Sequence, residues 1–130
     1  MFLIIDNTET GQLVFYYSLN KKFVQRKYEV KDNRSIIVYL DKLLSELDAD
    51  LKDIKFLGAV VGYGGFTSTR LAVTVANTLA YALGIPVIGI AKNWRENESD
   101  VFQRAEETPV GQYVAPEYSG EANIGRKKTK

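Results

Sequence analysis

Residues 56–90, FLGAVVGYGGFTSTRLAVTVANTLAYALGIPVIGI, constrain the fold more than any other stretch of this 130-residue chain. Residues 56–61 form a continuous apolar run, as a strand covered on both faces requires. Gly62, Gly64 and Gly65 interrupt it. Residues 68–83 then carry apolar side chains at helical spacing, with Thr67 or Ser68 placed to cap the helix. Gly84 ends it, and Pro86 leads into residues 87–90, a second apolar strand. Strand, helix and strand in that order pair the two strands in parallel through a right-handed crossover.

The upstream segments have a different period. Residues 2–5 are apolar and run into Asp6-Asn7-Thr8, with Gly11 following, which predicts a buried strand and a turn. Residues 12–19, QLVFYYSL, are aromatic and β-branched and read as a second strand. Residues 23–30, FVQRKYEV, mix polar and apolar side chains, as an exposed edge strand does. The short polar links at 6–11 and 20–22 make these three an antiparallel meander. Over residues 34–48, Ile36, Ile37, Leu40, Leu43, Leu44 and Leu47 form one stripe of an amphipathic helix, with Asp32 or Asn33 as its cap. The expected class is therefore α/β. A mixed five-stranded sheet comprises three antiparallel strands, then, after a helix, the parallel strand–helix–strand unit. Residues 1–91 make one lobe. Residues 92–130 are polar, with scattered apolar positions, and read as an extended C-terminal tail, partly irregular or disordered, with room for a short helix over 100–107.

Composition removes several function classes. The chain has no cysteine and no histidine. That excludes disulfides, thiol catalysis, zinc ribbons, HExxH sites and serine–histidine–aspartate triads. Seventeen basic and sixteen acidic residues nearly cancel, so no global field favours nucleic acid or an anionic membrane. Apolar runs fall well short of the ~20 residues a membrane span needs. The N-terminal MFLIIDN lacks a basic lead and reads as a strand. The expectation is a cytoplasmic protein without membrane contact.

The helix over 68–83 is apolar on more than one side. Leu71, Val75, Leu79 and Ala82 form a bulky stripe, and Ala72, Val73, Ala76, Ala80 and Leu83 a second one of mostly small residues. One stripe packs on the sheet and the other needs a second cover. A partner helix is the economical answer, because a small domain has little else to offer. The alternative is that the first helix and the tail supply the cover internally. On the partner reading the contact residues are Leu40, Leu44, Thr69, Ala72, Val73, Ala76, Asn77 and Ala80. Ala76→Arg would then leave the monomer folded and abolish pairing.

Gly62, Gly64, Gly65 and Thr67, with Asp6 and Thr8, could instead be a phosphate loop, since amide groups at a helix start attract anions. The segment matches neither GxxxxGK[ST] nor GxGxxG, so a turn that launches the helix is the better reading and any phosphate loop is vestigial. A two-metal nuclease needs several converging carboxylates. Asp6 is placed for this, but the strand ending at Val61 brings no acid, and Asp41, Glu46 and Asp48 are scattered along the first helix. No metal is expected. Asp6 more simply accepts amide bonds from its own turn.

Three segments together resemble one family: IIDNT at the first strand, GYGGFTSTRLAVTVANTLAYALGIPVIGI in the middle and PEYSGEANI near the end. The resemblance is to the bacterial tRNA threonylcarbamoyladenosine biosynthesis proteins TsaB, also called YeaZ. It rests most on Gly62, Gly64, Gly65, Phe66, Thr67, Arg70, Leu71, Gly84, Ile85, Pro86 and Val87. It covers 1–91 well and the end loosely. Tyr63 stands where the family has proline, and Ser68 and Ala72 stand where it has glycine. The second lobe usual after the last of these strands is missing from the sequence.

The resemblance implies a ribonuclease H-like lobe of the actin-like ATPase fold. It also implies a role without catalysis or cofactor: a scaffold subunit of the tRNA N6-threonylcarbamoyladenosine-forming complex. Such a subunit pairs through its helices with a larger TsaD-like paralogue, which binds ATP and metal. A TsaE-like ATPase joins the assembly, and tRNA is met only through the complex. The paralogue's metal-binding histidine pair would fall where this chain reads Ala91-Lys92-Asn93-Trp94-Arg95. Two other readings compete. One is a minimal hydrolase built on Asp6, Thr8 and the glycine loop. The other is a homodimer using the same helices. Arg126, Lys127, Lys128 and Lys130 form a basic end, read as a solvated terminus or a weak tRNA backbone contact.

Overall fold

The computed structural model describes residues 1–30, 35–62 and 66–115. In chain order these form strands β1 (Phe2–Asp6), β2 (Gln12–Leu19) and β3 (Lys22–Glu29), helix α1 (Ile36–Glu46), strand β4 (Phe56–Val60), helix α2 (Phe66–Leu83), strand β5 (Val87–Ile90) and helix α3 (Glu98–Glu107). Asn20 and Lys21, both at positive φ, make the two-residue turn between β2 and β3. Ser35 stands at the start of α1; Asp32 and Asn33 lie outside the described residues. Helix α2 begins at Phe66, so Thr67 and Ser68 lie within its first turn rather than before it.

The five strands lie in the order β3-β2-β1-β4-β5. Pairing is antiparallel for β1 with β2 and β2 with β3, and parallel for β1 with β4 and β4 with β5. β3 therefore runs in the same direction as β1 and β4. Both α1 and α2 link strands of one direction, so the two helices start at the same end of the sheet. This is the mixed α/β sheet expected from the sequence.

Alternation along the strands builds two cores. Leu3, Ile5, Phe15, Leu57, Ala59 and Val87 meet α1 and α2 on one face. Phe2, Ile4, Phe23, Val60, Ile88 and Ile90 point to the other, where Trp94 and α3 cover them. The division into a lobe ending at residue 91 and a tail is corrected here. Trp94, Val101 and Ala105 are buried, and residues 92–107 close the second face. The Trp94 ring meets Tyr16 and Phe23 edge-on at 4.9 and 5.0 Å, and Phe23 stacks on Phe102 at 4.7 Å. Such pairs add about 0.5–1.5 kcal/mol each beyond area burial. Residues 116–130, with the basic end, lie outside the described residues.

Polar contacts tie β3 to α1. Arg26 pairs with Glu46, and the Tyr28 hydroxyl donates to Glu46 Oε1 at 2.8 Å. Burial first, and the neighbouring Glu46 carboxylate second, push the Tyr28 hydroxyl up to about 12. Among the described residues no helix is long and apolar enough to cross a membrane.

Candidate functional site

Asp6 ends β1 and folds its carboxylate onto the turn that follows. Its Oδ1 accepts from the Thr8 amide at 3.0 Å and from the Thr8 hydroxyl at 2.6 Å. Thr8 is buried beneath this turn. The carboxylate thus fixes local backbone, the bland role the sequence suggested. Lys92, just after β5, reaches across to Glu9 of the same loop at 2.9 Å. Both side chains are exposed, so this pair contributes little. Gly62 holds φ at +107°, a conformation that favours glycine where β4 turns toward α2. Gly64 and Gly65 lie outside the described residues, and Thr67 falls within α2. Among the described residues no cluster of three acids, cysteines or histidines is close enough to hold a metal.

The helix faces overturn the sequence expectation. Ala76 is 0% exposed, and Thr69, Ala72, Val73 and Ala80 are equally enclosed, all within one copy of the chain. Leu40 and Leu44 of α1 are buried as well. The flank of small residues is therefore not bare. It is the surface by which α2 seats against the sheet and α1. The physical reason is closeness: alanines let the helix axis approach β4, whose Ala59 faces it and is equally small. At 100° per residue, Thr69, Ala72, Val73, Ala76, Leu79 and Ala80 share an arc of about 120°. Leu71 falls on the opposite side with Arg70, Thr74, Thr78 and Tyr81, all exposed. Of the bulky stripe, only Leu79 is buried. The Thr69 hydroxyl finds no hydrogen-bond partner among the described residues.

The outer side of the helix layer carries four exposed large apolar groups. Leu71 is 51% exposed and Tyr81 76% on α2; Ile37 and Val38 are 46% and 45% exposed on α1. Ile37 was expected in the buried stripe, where Tyr39 stands instead. Leu71, Ile37 and Val38 lie near the helix starts, so they share one end of the layer.

Asn77, half-buried on α2, does not face a partner surface. Its Nδ2 donates to the Val114 carbonyl and its Oδ1 accepts the Val114 amide, both at 2.9 Å. The side chain thereby satisfies both backbone polar groups of Val114, within the irregular segment 112–115. The Val114 side chain sits over Gly89, where any Cβ would come within 3.1 Å of it. Asn77→Leu is expected to cost about 2 kcal/mol, two net hydrogen bonds, with faster amide exchange at Val114. Thermal melts and exchange-detected NMR check it; an unchanged Val114 amide counts against the clamp.

Comparison with known proteins places this arrangement. Residues 28–114 match the family model described as TsaD, tRNA N6-adenosine threonylcarbamoyltransferase. A tRNA threonylcarbamoyladenosine biosynthesis protein TsaB of Buchnera aphidicola subsp. Schizaphis graminum is 28% identical over 109 residues, 78% of this chain and 50% of that protein. Its namesake from B. aphidicola subsp. Acyrthosiphon pisum is 28% identical over 68 residues, 52% of this chain and 31% of that protein. The solved structure of YeaZ from Pseudomonas aeruginosa superposes with a TM-score of 0.61 at 20% identity, over 74% of this chain and 48% of its own. A second structure, of a protein with similarity to peptidase YeaZ from the same organism, gives the same figures. The chain thus spans about half the length of the first of these relatives and of the solved structures.

Proposed function

We propose a function from one premise: the chain belongs to the family of the tRNA N6-adenosine threonylcarbamoyltransferase model, within its TsaB (YeaZ) branch. It acts as a non-catalytic, cytoplasmic subunit in forming N6-threonylcarbamoyladenosine on tRNA. It docks on a TsaD-like catalytic paralogue, with a TsaE-like ATPase as a further member, and meets tRNA through that assembly. The docking surface is the outer side of α1 and α2, built on Ile37, Val38, Leu71 and Tyr81. The observation that carries this reading is the exposure of Ile37, Val38, Leu71 and Tyr81 on the outer side of α1 and α2. The non-catalytic part is supported by chemistry. This chain has neither histidine nor cysteine, and its well-placed Asp6 is committed to its own turn.

The test is co-purification of the tagged chain with the TsaD-like paralogue of its own cells. Leu71→Asp combined with Val38→Asp places charges on the outer face and leaves the core intact. It is expected to weaken pairing at least a hundredfold, with the melting temperature within a few degrees of the parent. Undiminished pairing would sink the assignment of the face. Failure of the parent chain to bind the paralogue at all would sink the function. Light scattering of the chain alone separates a homodimer through the same side from a monomer.

A further inference from the structure

The sheet has a second feature of note at its far edge. Among the described residues β5 pairs with β4 alone, leaving its other side as the sheet edge. Val61 donates to the Ile90 carbonyl and Leu57 to that of Pro86, so the even-numbered residues of this segment face β4. By the alternation of a parallel ladder, the amides of Val87 and Gly89 point away from the sheet. Beside them lies a cavity of about 480 Å3, walled by α3 and by residues 112–115. Its polar lining comes from Arg104, Thr108, Gln112 and Tyr113, and among the described residues no acid lines it. Arg104 donates to the Gly89 carbonyl at 2.8 Å, while its side chain remains exposed. An apolar edge strand is a template for another strand unless it is covered. Among the described residues the cover at Gly89 is the Arg104 side chain, and the opposite wall is fixed by the Asn77 clamp on Val114.

We infer that this groove takes an extended, acidic peptide segment from a partner protein, added along β5 as a sixth strand. The Val87 and Gly89 amides donate to the incoming backbone. An incoming amide replaces Arg104 on the Gly89 carbonyl, and the freed guanidinium takes a carboxylate of the peptide. Charge complementarity selects the ligand: the Arg104 guanidinium, with no acid among the described lining residues, favours glutamate or aspartate and disfavours lysine. The site stands on the β5 edge and is independent of the outer helix face and of the proposed function.

The probe is the blocked pentapeptide Val-Glu-Val-Glu-Val, titrated into the full chain by amide NMR. Saturation is expected to slow exchange at Val87 and Gly89 at least tenfold. Arg104→Glu is expected to weaken binding at least tenfold, and Arg104→Lys by less. The lysine counterpart, Val-Lys-Val-Lys-Val, is expected to bind at least tenfold more weakly. Unchanged exchange at both amides, or equal binding of the two peptides, would overturn the proposal. So would amides already protected in the chain alone and exposed when the chain is stopped after Ala115, since the occupant would then be its own residues 116–130.

Discussion

Ala76→Arg is expected to leave no folded chain. Ala76 is 0% exposed where α2 meets the sheet. A guanidinium there must be desolvated, at an effective cost of several kcal/mol, and the added bulk costs about 1–3 kcal/mol more. Against a typical total stability of about 5–15 kcal/mol, that removes most or all of it. Circular dichroism should show no cooperative thermal transition, whereas Ala76→Gly should lose only about 1 kcal/mol. An arginine variant that melts within a few degrees of the parent would restore the exposed-flank reading that the sequence suggested.

Trp94→Ala should cost about 3–5 kcal/mol, the usual penalty for emptying a large aromatic site. The ring is buried among Tyr16, Phe23 and the rest of the second core. Trp94→Phe should recover more than half of that loss. Urea denaturation followed by circular dichroism measures both. A change below about 1 kcal/mol would mean that residues 92–107 are an appendage rather than the second layer.

What could be read from the sequence and what could not have separate physical causes. The strands were legible because each face of the sheet demands its own alternation, and because Gly62, Gly84 and Pro86 punctuate the crossover. Helix α1 was legible except for Ile37 and Tyr39, which exchange sides. Helix α2 was misphased because hydrophobicity was weighed by size. Leu71 and Val75 outweigh alanines on any such scale, yet a helix lying close to a sheet buries its small residues. The uninterrupted spacing of Thr69, Ala72, Val73, Ala76 and Ala80 was the signal that could have found this. The polar company of Leu71, namely Arg70, Thr74 and Thr78, pointed the same way.

Helix α3 was underestimated because four side chains, Trp94, Val101, Phe102 and Ala105, complete a whole sheet face. So sparse an apolar set reads as a tail until the sheet beneath it is known. Asn77 illustrates a related limit. Its amide serves residues 37 positions away, and no local pattern announces such a bond.

The central claim is that the outer side of α1 and α2, and not the alanine flank, is the surface open to a partner. The chain contains no cysteine, so single cysteines report directly on each side. Leu71→Cys and Ala76→Cys variants are treated with a maleimide, alone and with the TsaD-like paralogue. The account predicts rapid labelling of Leu71→Cys alone, slowed at least tenfold by the paralogue, and negligible labelling of Ala76→Cys under both conditions. Ready labelling of Ala76→Cys alone that the paralogue suppresses, with Leu71→Cys indifferent to it, would contradict the account.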